Sequence, residues 1–246
     1  ECLHMLEAVS AFKAYDIRGI AGEDITTDFS RRLGRAIVEF AQATSIAVGR
    51  DIRSSGESLK AALIQGIVES GCTVVDLGIV PTGVVYRSTV DLNVDSAIAI
   101  TASHNPPEYN GFKIVHKGLP VAGEDLQRLK AIYESPDQGK ANSPGTILSM
   151  SEYHHTVIDA IVQDVGPLAR RVSVAVDSAN AVPGPFIMEL CEKLGVDLVD
   201  LNCTWDQRSP AHPADPTRPE NMIQLSDLVA NSDCEFGIGV DGDGDR

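Results

Sequence analysis

Apolar residues recur along the chain in two alternating patterns: short continuous runs and longer stripes with helical spacing. The runs over 45–49 and 96–100 predict buried strands. Between them, the apolar residues of 29–40 fall on one face of a helix, for which Thr27 is the predicted N-cap. The next apolar stripe predicts a helix that begins after Ser54 or Ser55 and is closed by Gly71.

The same alternation continues to the end of the chain. Further strands are predicted over 73–77, 111–115, 172–176, 197–201 and 235–240. Further helices are predicted over 82–92, 123–135, 151–165, 183–194 and 222–232. Strands that alternate with helices indicate an α/β protein, with mixed, mainly parallel sheets flanked by helices.

One segment interrupts the pattern and divides the chain. Residues 135–145 are rich in proline, glycine, aspartate, asparagine and serine, a composition typical of a linker. We therefore expect two successive α/β domains, 1–145 and 146–246. The chain stops in a loop directly after its last predicted strand, which predicts that it is part of a longer, multi-domain enzyme.

A second long connection spans 202–221 and carries a proline at every third position. Pro210, Pro213, Pro216 and Pro219 favour an extended, polyproline-like path. The sequence leaves three interpretations open: an ordered loop that borders a cleft, a ligand for a proline-recognition domain, or a stiff surface connection.

Composition and net charge disfavour nucleic acids and membranes as binding partners. The 246 residues are 43% hydrophobic and carry a formal charge of −15, as expected for a globular protein that repels nucleic-acid phosphates and anionic membrane surfaces. The apolar runs are far shorter than the roughly 20 residues of a membrane span. Five widely spaced cysteines without a C-x-x-C pair, and no signal-peptide pattern, predict buried, reduced thiols in a cytoplasmic protein.

Three carboxylates alternate with glycine at the end of the chain. Asp241, Asp243 and Asp245 follow a predicted strand and would point the same way in an extended loop. Such charges repel each other unless a cation lies between them, and all-oxygen ligands suit Mg²⁺, Mn²⁺ or Ca²⁺. An EF-hand is excluded because Arg246 stands where its glycine is required.

A candidate nucleophile and several basic residues lie at other predicted strand ends. Ser103 follows the strand over 96–100 in a turn that ends at a proline, and His104 is adjacent to it. Neighbouring residues rarely point at each other, so a serine–histidine pair is not expected here. Basic residues also lie near these predicted strand ends, and basic groups clustered in so acidic a chain predict an anion site; they are Arg18, Arg50, Arg53, Lys113 and Arg246.

Several motifs together resemble one family. They are Phe12-Lys-Ala-Tyr-Asp-Ile-Arg-Gly19, Gly49-Arg-Asp-Ile-Arg-Ser-Ser55, Thr101-Ala-Ser-His-Asn-Pro106, Tyr109-Asn-Gly-Phe-Lys-Ile114, His212-Pro-Ala-Asp-Pro216, Pro219-Glu-Asn221 and Asp241-Gly-Asp-Gly-Asp-Arg246. In this order they resemble the α-D-phosphohexomutases, most closely the bacterial phosphomannomutase/phosphoglucomutase branch. Family enzymes have four domains, and this chain matches the first and most of the second.

The resemblance implies a phosphosugar mutase that interconverts hexose 1-phosphate and hexose 6-phosphate. It implies that Ser103 carries a phosphoryl group, and that Ser103, Asp241, Asp243 and Asp245 bind one Mg²⁺. The phosphoryl group would pass to the sugar phosphate, giving a hexose 1,6-bisphosphate, which also serves as activator. That intermediate would reorient and return its other phosphoryl group to the serine.

The resemblance also implies roles for the surrounding residues. Arg18 and Arg246 would hold the transferring phosphoryl group, and Lys113 would move the proton of the sugar hydroxyl. Tyr15 would border the substrate, and His104 is a further candidate for the catalytic base.

Three alternatives stay open at this point. The first is a phosphoglucosamine mutase, and the second a Mg²⁺-dependent phosphatase in which the phosphoserine is hydrolysed. The third is a binding module whose proline-rich loop recruits a partner. The preferred hexose, the phosphorylation state of Ser103 and the oligomeric state are not determined by the sequence.

Overall fold

The computed structural model describes residues 11–136, 141–206 and 210–246. Contacts divide them into two compact units. Unit 1 comprises the described residues up to Ala102 together with Pro107–Ser151, and unit 2 comprises Ser103–Pro106 together with the described residues from Glu152 onwards. The short serine segment therefore belongs, by its contacts, with the second half of the chain.

Unit 1 is built around a mixed sheet. Its strands are β1 (Ile17–Ile20), β2 (Ser45–Arg50), β3 (Thr73–Ile79), β4 (Ser96–Ile100), β5 (Tyr109–His116), β6 (Leu119–Pro120) and β7 (Ile147–Ser149). The strand order is β1-β5-β4-β2-β3-β7, and β6 pairs with β5. Pairing is parallel among β4, β2, β3 and β7, whereas the antiparallel ladders of the described chain all involve β5.

Four helices accompany this sheet in the described part of unit 1. They are α1 (Thr27–Ala41), α2 (Gly56–Glu69), α3 (Thr82–Asp91) and α4 (Gly123–Glu134). The unit's core joins the apolar faces of strands and helices, and an aromatic group lies within it: Phe29 packs 4.9 Å from the ring of Tyr133 and 6.2 Å from Phe112, measured between ring centroids. The helical stripe predicted from apolar spacing therefore packs into this core.

Unit 2 holds a smaller, parallel sheet. Its strands are β8 (Ser173–Asp177), β9 (Asp197–Leu201) and β10 (Phe236–Gly239), in the order β10-β8-β9. Its helices are α5 (Tyr153–Val165), α6 (Gly184–Leu194) and α7 (Ile223–Ala230), the last preceded by a 3₁₀ turn over Pro219–Met222. Because β8 and β10 are parallel, the residues that follow them meet at one edge of the sheet.

The predicted fold class is confirmed: both units are α/β, with mixed, mainly parallel sheets flanked by helices. The division between the units falls after Ser151, whereas the sequence placed it after Gly145. The difference arises because β7, within the expected second domain, adds to the unit-1 sheet by parallel pairing with β3. Part of the predicted linker, residues 137–140, lies outside the described residues.

Two local predictions need correction. The N-cap of α1 is Thr26, not Thr27, since the Thr26 hydroxyl accepts a 3.1 Å hydrogen bond from the backbone N–H of Phe29. Strand β1 was not predicted: Arg18 and Gly19 interrupt its apolar pattern, and its pairing with β5 comes from residues far along the chain.

The polyproline path predicted for 202–221 is wrong for the residues described. From Ala211 to Met222 the chain forms bends, turns and a 3₁₀ turn. The reason is Asp215, whose carboxylate accepts from the hydroxyl and N–H of Thr217, while its carbonyl accepts from Asn221 Nδ2 at 2.9 Å. Residues 207–209 lie outside the described residues.

The cysteines that the structure describes are free thiols, as expected. Cys72, Cys203 and Cys234 are buried and Cys191 is half-buried, while Cys2 lies outside the described residues. Burial raises the pKa of the Cys72 and Cys203 thiols to about 12, so both are held in the unreactive protonated form. Within the described residues, no helix combines the length and apolar character that a membrane crossing requires.

Candidate active site

The candidate nucleophile lies in a strained turn just after β4. Ser103 has a φ of +53°, in the left-handed region that residues other than glycine rarely adopt. The residue is buried, and its backbone carbonyl is close to the aspartate loop of unit 2.

Thr101, two residues before Ser103, is hydrogen-bonded within unit 1 to the buried carboxylate of Asp51. Asp51 accepts a 2.7 Å hydrogen bond from the Thr101 hydroxyl, and its other oxygen accepts from the N–H of Arg53 at 2.9 Å. The Arg53 guanidinium also lies 3.2 Å from Asp51 and donates to the carbonyl of Tyr109. Asp51 and Arg53 thereby fix the backbone two residues before Ser103, a supporting role that sequence analysis did not assign.

Asp241 organises the aspartate loop of unit 2. Its Oδ1 accepts three backbone hydrogen bonds, from the N–H groups of Gly244, Asp245 and Arg246, at 3.0–3.1 Å. The Asp241 N–H in turn donates to the carbonyl of Arg246 at 3.1 Å. The loop is thus closed around one carboxylate, as in an Asx turn extended by two residues.

The other oxygen of Asp241 accepts a short hydrogen bond from the hydroxyl of Ser103. Both residues belong to unit 2, so the fold itself brings the candidate nucleophile to the first of the three aspartates. Gly242 permits this approach, because a Cβ at that position would lie 2.2 Å from the Ser103 carbonyl oxygen. The glycine is therefore required for contact between the two loops.

His104 points at its neighbour, contrary to the expectation for adjacent residues. The His104 Nδ1 lies 3.2 Å from Ser103 Oγ, because the left-handed turn at Ser103 rotates the two side chains together. The single hydroxyl proton of Ser103 is donated to Asp241, so the contact with His104 needs a proton on Nδ1. In this arrangement His104 donates to the serine oxygen, and Asp241 accepts its proton.

The three aspartates fit a divalent cation. One carboxylate oxygen from each of Asp241, Asp243 and Asp245 lies within 4.8 Å of the others, and the first two residues are buried. Burial, followed by the charges of Asp243 and Asp245, raises the pKa of Asp241 to about 6. Buried like charges of this kind repel each other, and an all-oxygen donor set is the one preferred by Mg²⁺.

The proline-rich loop forms a wall of the same site. His212 Nε2 lies 2.8 Å from the buried carboxylate of Asp177, at the end of β8. Ala214 lies next to Gly242, where a Cβ would be 3.6 Å from the Ala214 side chain. The pKa of Asp215 is lowered, chiefly by its hydrogen bond from Thr217, and the charge of His104 contributes to the shift. Of the interpretations left open above, these contacts favour an ordered loop that borders a site.

Unit 1 brings together two of the predicted basic residues. Arg18 on β1 pairs with Gly111 on β5, and Lys113 is two residues further along β5, so both side chains belong to one face of the sheet. Arg18 forms an ion pair with Asp16. Gly111 is required between the strands, since a Cβ there would lie 2.2 Å from the carbonyl of Ile17.

The two remaining predicted residues are exposed. Tyr15 has 82% of its surface exposed and stands in the loop before β1 in unit 1. Arg246 belongs to unit 2, where its backbone closes the aspartate loop and its side chain is exposed. Both are accessible to a ligand, as residues that bind substrate must be.

Comparison with known proteins supports these observations. The family model described as phosphoglucomutase/phosphomannomutase, alpha/beta/alpha domain I matches residues 9–140, and domain II of the same family matches residues 152–246. The chain belongs to the phosphoglucomutase/phosphomannomutase family. Its two family domains coincide closely with the two units, and residues 141–151 between the matches include β7.

Relatives in the phosphoglucomutase/phosphomannomutase family match almost all of this chain. It is 39% identical over 241 residues to the phosphomannomutase/phosphoglucomutase of Pseudomonas aeruginosa and 38% identical to the phosphoglucomutase of Neisseria gonorrhoeae. In each case 96% of this chain is covered, but only 51% of the relative, so the chain spans about half the length of these proteins.

A solved structure agrees in fold as well as in sequence. The phosphoglucomutase/phosphomannomutase family protein of Burkholderia thailandensis matches with a TM-score of 0.91 and 36% identity, over 97% of this chain and 54% of that one. A coverage of 97% means that the likeness extends through both units of the chain.

Sequence reasoning missed the residues that support this site. Asp51, Asp177 and His212 contact loop residues that are distant in sequence, so no local pattern marks their partners. The available signal was that Asp51 and Asp177 each end a predicted strand, the position from which a side chain reaches the ligand edge of a parallel sheet.

Proposed function

We propose that this chain supplies the nucleophile and the metal loop of a phosphosugar mutase, which interconverts hexose 1-phosphate and hexose 6-phosphate. The observation that carries the proposal is the hydrogen bond from Ser103 to Asp241, within a unit that belongs to the phosphoglucomutase/phosphomannomutase family. Mannose and glucose phosphates are the proposed substrates, and a hexose 1,6-bisphosphate is the intermediate and activator.

The first proposed step transfers a phosphoryl group from phosphorylated Ser103 to a hydroxyl of the sugar phosphate. The bond between phosphorus and Ser103 Oγ breaks, a bond between phosphorus and the sugar oxygen forms, and the sugar hydroxyl gives up its proton. Lys113 is the proposed acceptor of that proton, and Arg18 and Arg246 are proposed to hold the phosphoryl oxygens. Tyr15 is proposed to border the sugar.

The second step reverses the first at the other end of the sugar. The bisphosphate reorients, a bond forms between Ser103 Oγ and its second phosphorus as the bond from that phosphorus to the sugar oxygen breaks, and the sugar oxygen takes back the proton held by Lys113, which restores the starting enzyme. In the first step, the proton on His104 Nδ1 would stabilise negative charge on Ser103 Oγ as the phosphoryl group leaves. His104 is thus proposed as a hydrogen-bond donor, whereas the resemblance suggested it as a catalytic base. The role differs because the Ser103 hydroxyl donates its proton to Asp241 and not to His104.

Asp241, Asp243 and Asp245, with Ser103, are the proposed ligands of one Mg²⁺. When bound, Mg²⁺ would neutralise the phosphoryl dianion and make the serine oxygen a better leaving group. The cytoplasm, where hexose phosphates are metabolised, is the proposed location.

Phosphopeptide mapping of the complete enzyme that contains this chain, purified from cells, tests the proposal. We expect phosphate on Ser103, and its loss on incubation with glucose 1-phosphate, with glucose 1,6-bisphosphate as the product. A Ser103→Ala variant should carry no phosphate at this site, while Ser178→Ala, a buried serine at the end of β8, should keep it. Phosphate found exclusively on another residue would contradict the mechanism.

The same experiment separates the mutase from the phosphatase alternative. Release of inorganic phosphate without any bisphosphate would identify hydrolysis of the phosphoserine. Activity on glucosamine phosphate in preference to glucose phosphate would instead identify a phosphoglucosamine mutase.

A further inference from the structure

Outside the aspartate loop, unit 2 contains a second group of potential metal ligands at the start of α5. Glu152, His154 and His155 each offer a ligand atom, and these atoms lie within 4.8 Å of one another. The two imidazole rings lie side by side, with centroids 3.9 Å apart and planes inclined by 42°. Two neighbouring histidines therefore face the same region of the surface, together with a carboxylate.

The contacts of His155 orient one of its ring nitrogens toward that region. Its Nδ1 lies 2.8 Å from a carboxylate oxygen of Glu189 on α6, and its Nε2 lies 3.1 Å from Glu152. A proton on Nδ1 that is donated to Glu189 leaves the Nε2 lone pair available, which is the usual arrangement behind a metal-bound histidine. Two ligands of a tetrahedral zinc ion, each about 2.0–2.1 Å from the metal, are themselves ~3.3 Å apart, close to the Nε2–Glu152 distance.

The charges around this group favour a cation. Lys193 forms ion pairs with Asp159 at 2.6 Å and with Glu189 at 3.0 Å, while Glu152 lies against His155, so the group contains three carboxylates and one ammonium. A divalent cation between Nε2 and Glu152 would be bound by the ring lone pair on one side and by the carboxylate on the other.

We propose that Glu152, His154 and His155 bind a divalent transition cation of the zinc class, with Glu189 as a positioning residue. Imidazole nitrogens favour Zn²⁺, Ni²⁺ or Cu²⁺ over Mg²⁺, so the ligand class differs from that of the aspartate loop. Three protein ligands leave a fourth position for water. The bound ion would join the start of α5 to α6 through His155 and Glu189, and the site is independent of the proposed mutase activity.

Calorimetric titration of the 246-residue chain with Zn²⁺ tests the site, with Mg²⁺ in large excess to occupy the aspartate loop. We expect one Zn²⁺ per chain, and at least a tenfold weaker affinity in His154→Gln and in His155→Gln. Glu189→Gln should weaken binding about 10- to 100-fold, because an outer-shell partner is lost. Glu152→Gln should also weaken Zn²⁺ binding. Its matched control is Glu220→Gln, at an exposed glutamate of the same unit, which should leave Zn²⁺ affinity unchanged.

A spectroscopic measurement keeps the test valid if a variant folds poorly. Co²⁺ bound at a site with histidine ligands has visible d–d absorption that should appear in the wild type and in Asp243→Asn, and be lost in His155→Gln. Circular dichroism would verify that each variant is folded. Equal Zn²⁺ affinity in the wild type and in folded His155→Gln, or binding that disappears only in Asp243→Asn, would overturn the proposal.

Discussion

Asp241 and Asp243 lie two residues apart in the same loop, but their side chains make different contacts in the structure. Both oxygens of Asp241 accept hydrogen bonds, from the loop backbone and from Ser103. Asp241 can therefore shape the loop before any cation binds. Asp243 is also buried, at 1% exposure, and lies with two other carboxylates, so we expect its main contribution to be to the proposed ligand set.

Replacing Asp243 should remove cation binding without unfolding the loop. We expect Asp243→Asn to weaken Mg²⁺ affinity by more than the about 10- to 100-fold that follows the loss of an outer-shell partner. The measurement is the rise in melting temperature with Mg²⁺ concentration, which is large when the ion binds only the folded state. The variant's melting temperature should respond little to Mg²⁺.

The matched control for this prediction is Asp233→Asn, an exposed aspartate before β10 that carries the same change of charge. It should preserve the full response to Mg²⁺. An unchanged response in Asp243→Asn would show that the aspartate loop does not bind the ion.

At the scale of secondary-structure elements, the backbones of α1 and α2 approach each other closely in unit 1. The helices meet at two glycines: a Cβ on Gly34 would lie 2.4 Å from the carbonyl oxygen of Leu63, and one on Gly66 would lie 1.9 Å from that of Arg31. At such a distance the helix backbones leave no space for a side chain. Both glycines serve packing here, not a turn.

A methyl group at Gly66 should therefore push the two helices apart. We expect Gly66→Ala to lower the free energy of unfolding by about 1–3 kcal/mol, the usual effect of overpacking. Gly83→Ala is the matched control, because Gly83 is also helical and a Cβ there has open space around it. It should be neutral or stabilise by up to about 1 kcal/mol. Equal unfolding midpoints in urea for both variants would contradict the packing argument.

The same helix pair is joined by an ionic contact. Glu69 at the end of α2 receives hydrogen bonds from Arg31 and Arg35 of α1, and the bond from Arg31 is the main reason why the pKa of Glu69 falls to about 2. A carboxyl with a depressed pKa in the folded state stabilises that state above its unfolded pKa. Its contribution is fully present above pH 4.5 and is lost as the pH falls from 4.5 toward 2.

Neutralising Glu69 should thus destabilise unit 1 in a pH-dependent way. We expect Glu69→Gln to lower the free energy of unfolding by about 1–3 kcal/mol at pH 7, and by progressively less below pH 4.5. Thermal melts across this pH range are the measurement, with Glu39→Gln, an exposed glutamate of α1, as the control. A deficit that is independent of pH would mean that packing, and not the ion pairs, explains the change.

At the scale of the whole molecule, the two units hold different parts of the proposed chemistry. Unit 2 contains Ser103 and the aspartates, and unit 1 contains Arg18 and Lys113. The chain corresponds to about half of its relatives, and its family matches are to domains I and II. Phosphoryl transfer depends mainly on positioning and charge, which the sugar-binding parts of a complete enzyme must supply.

The 246 residues by themselves should accordingly fold but not catalyse. Each unit has its own sheet and apolar core, so cooperative unfolding is expected. Turnover of mannose 1-phosphate and glucose 1-phosphate should be reduced about 10³-fold or more relative to a full-length family enzyme. A coupled mutase assay on the purified chain, with the full-length Pseudomonas aeruginosa relative as the reference, decides the matter. Comparable rates would show that the active site is complete within these residues.

The sequence by itself determined the alternation of strands and helices, because apolar spacing reports directly which face of each element is buried. It also identified Ser103 and the three aspartates as candidates, since their residue types and spacing are local features. Strand β1, with Arg18 and Gly19 in it, and β7, just after the predicted linker, were not predictable. Their pairing partners lie far away in the chain, and their own residues lack a strand pattern.

Only the tertiary structure decided which groups meet. Asp51 contacts Thr101, His212 contacts Asp177, and Ser103 contacts Asp241 across separations that no local pattern encodes. The orientation of His104 depends on one backbone angle at Ser103, which the surrounding loops impose. Residue types and spacing therefore fix the elements and the chemical candidates, whereas side-chain partnership depends on the strand ends and loops that packing brings together within each unit.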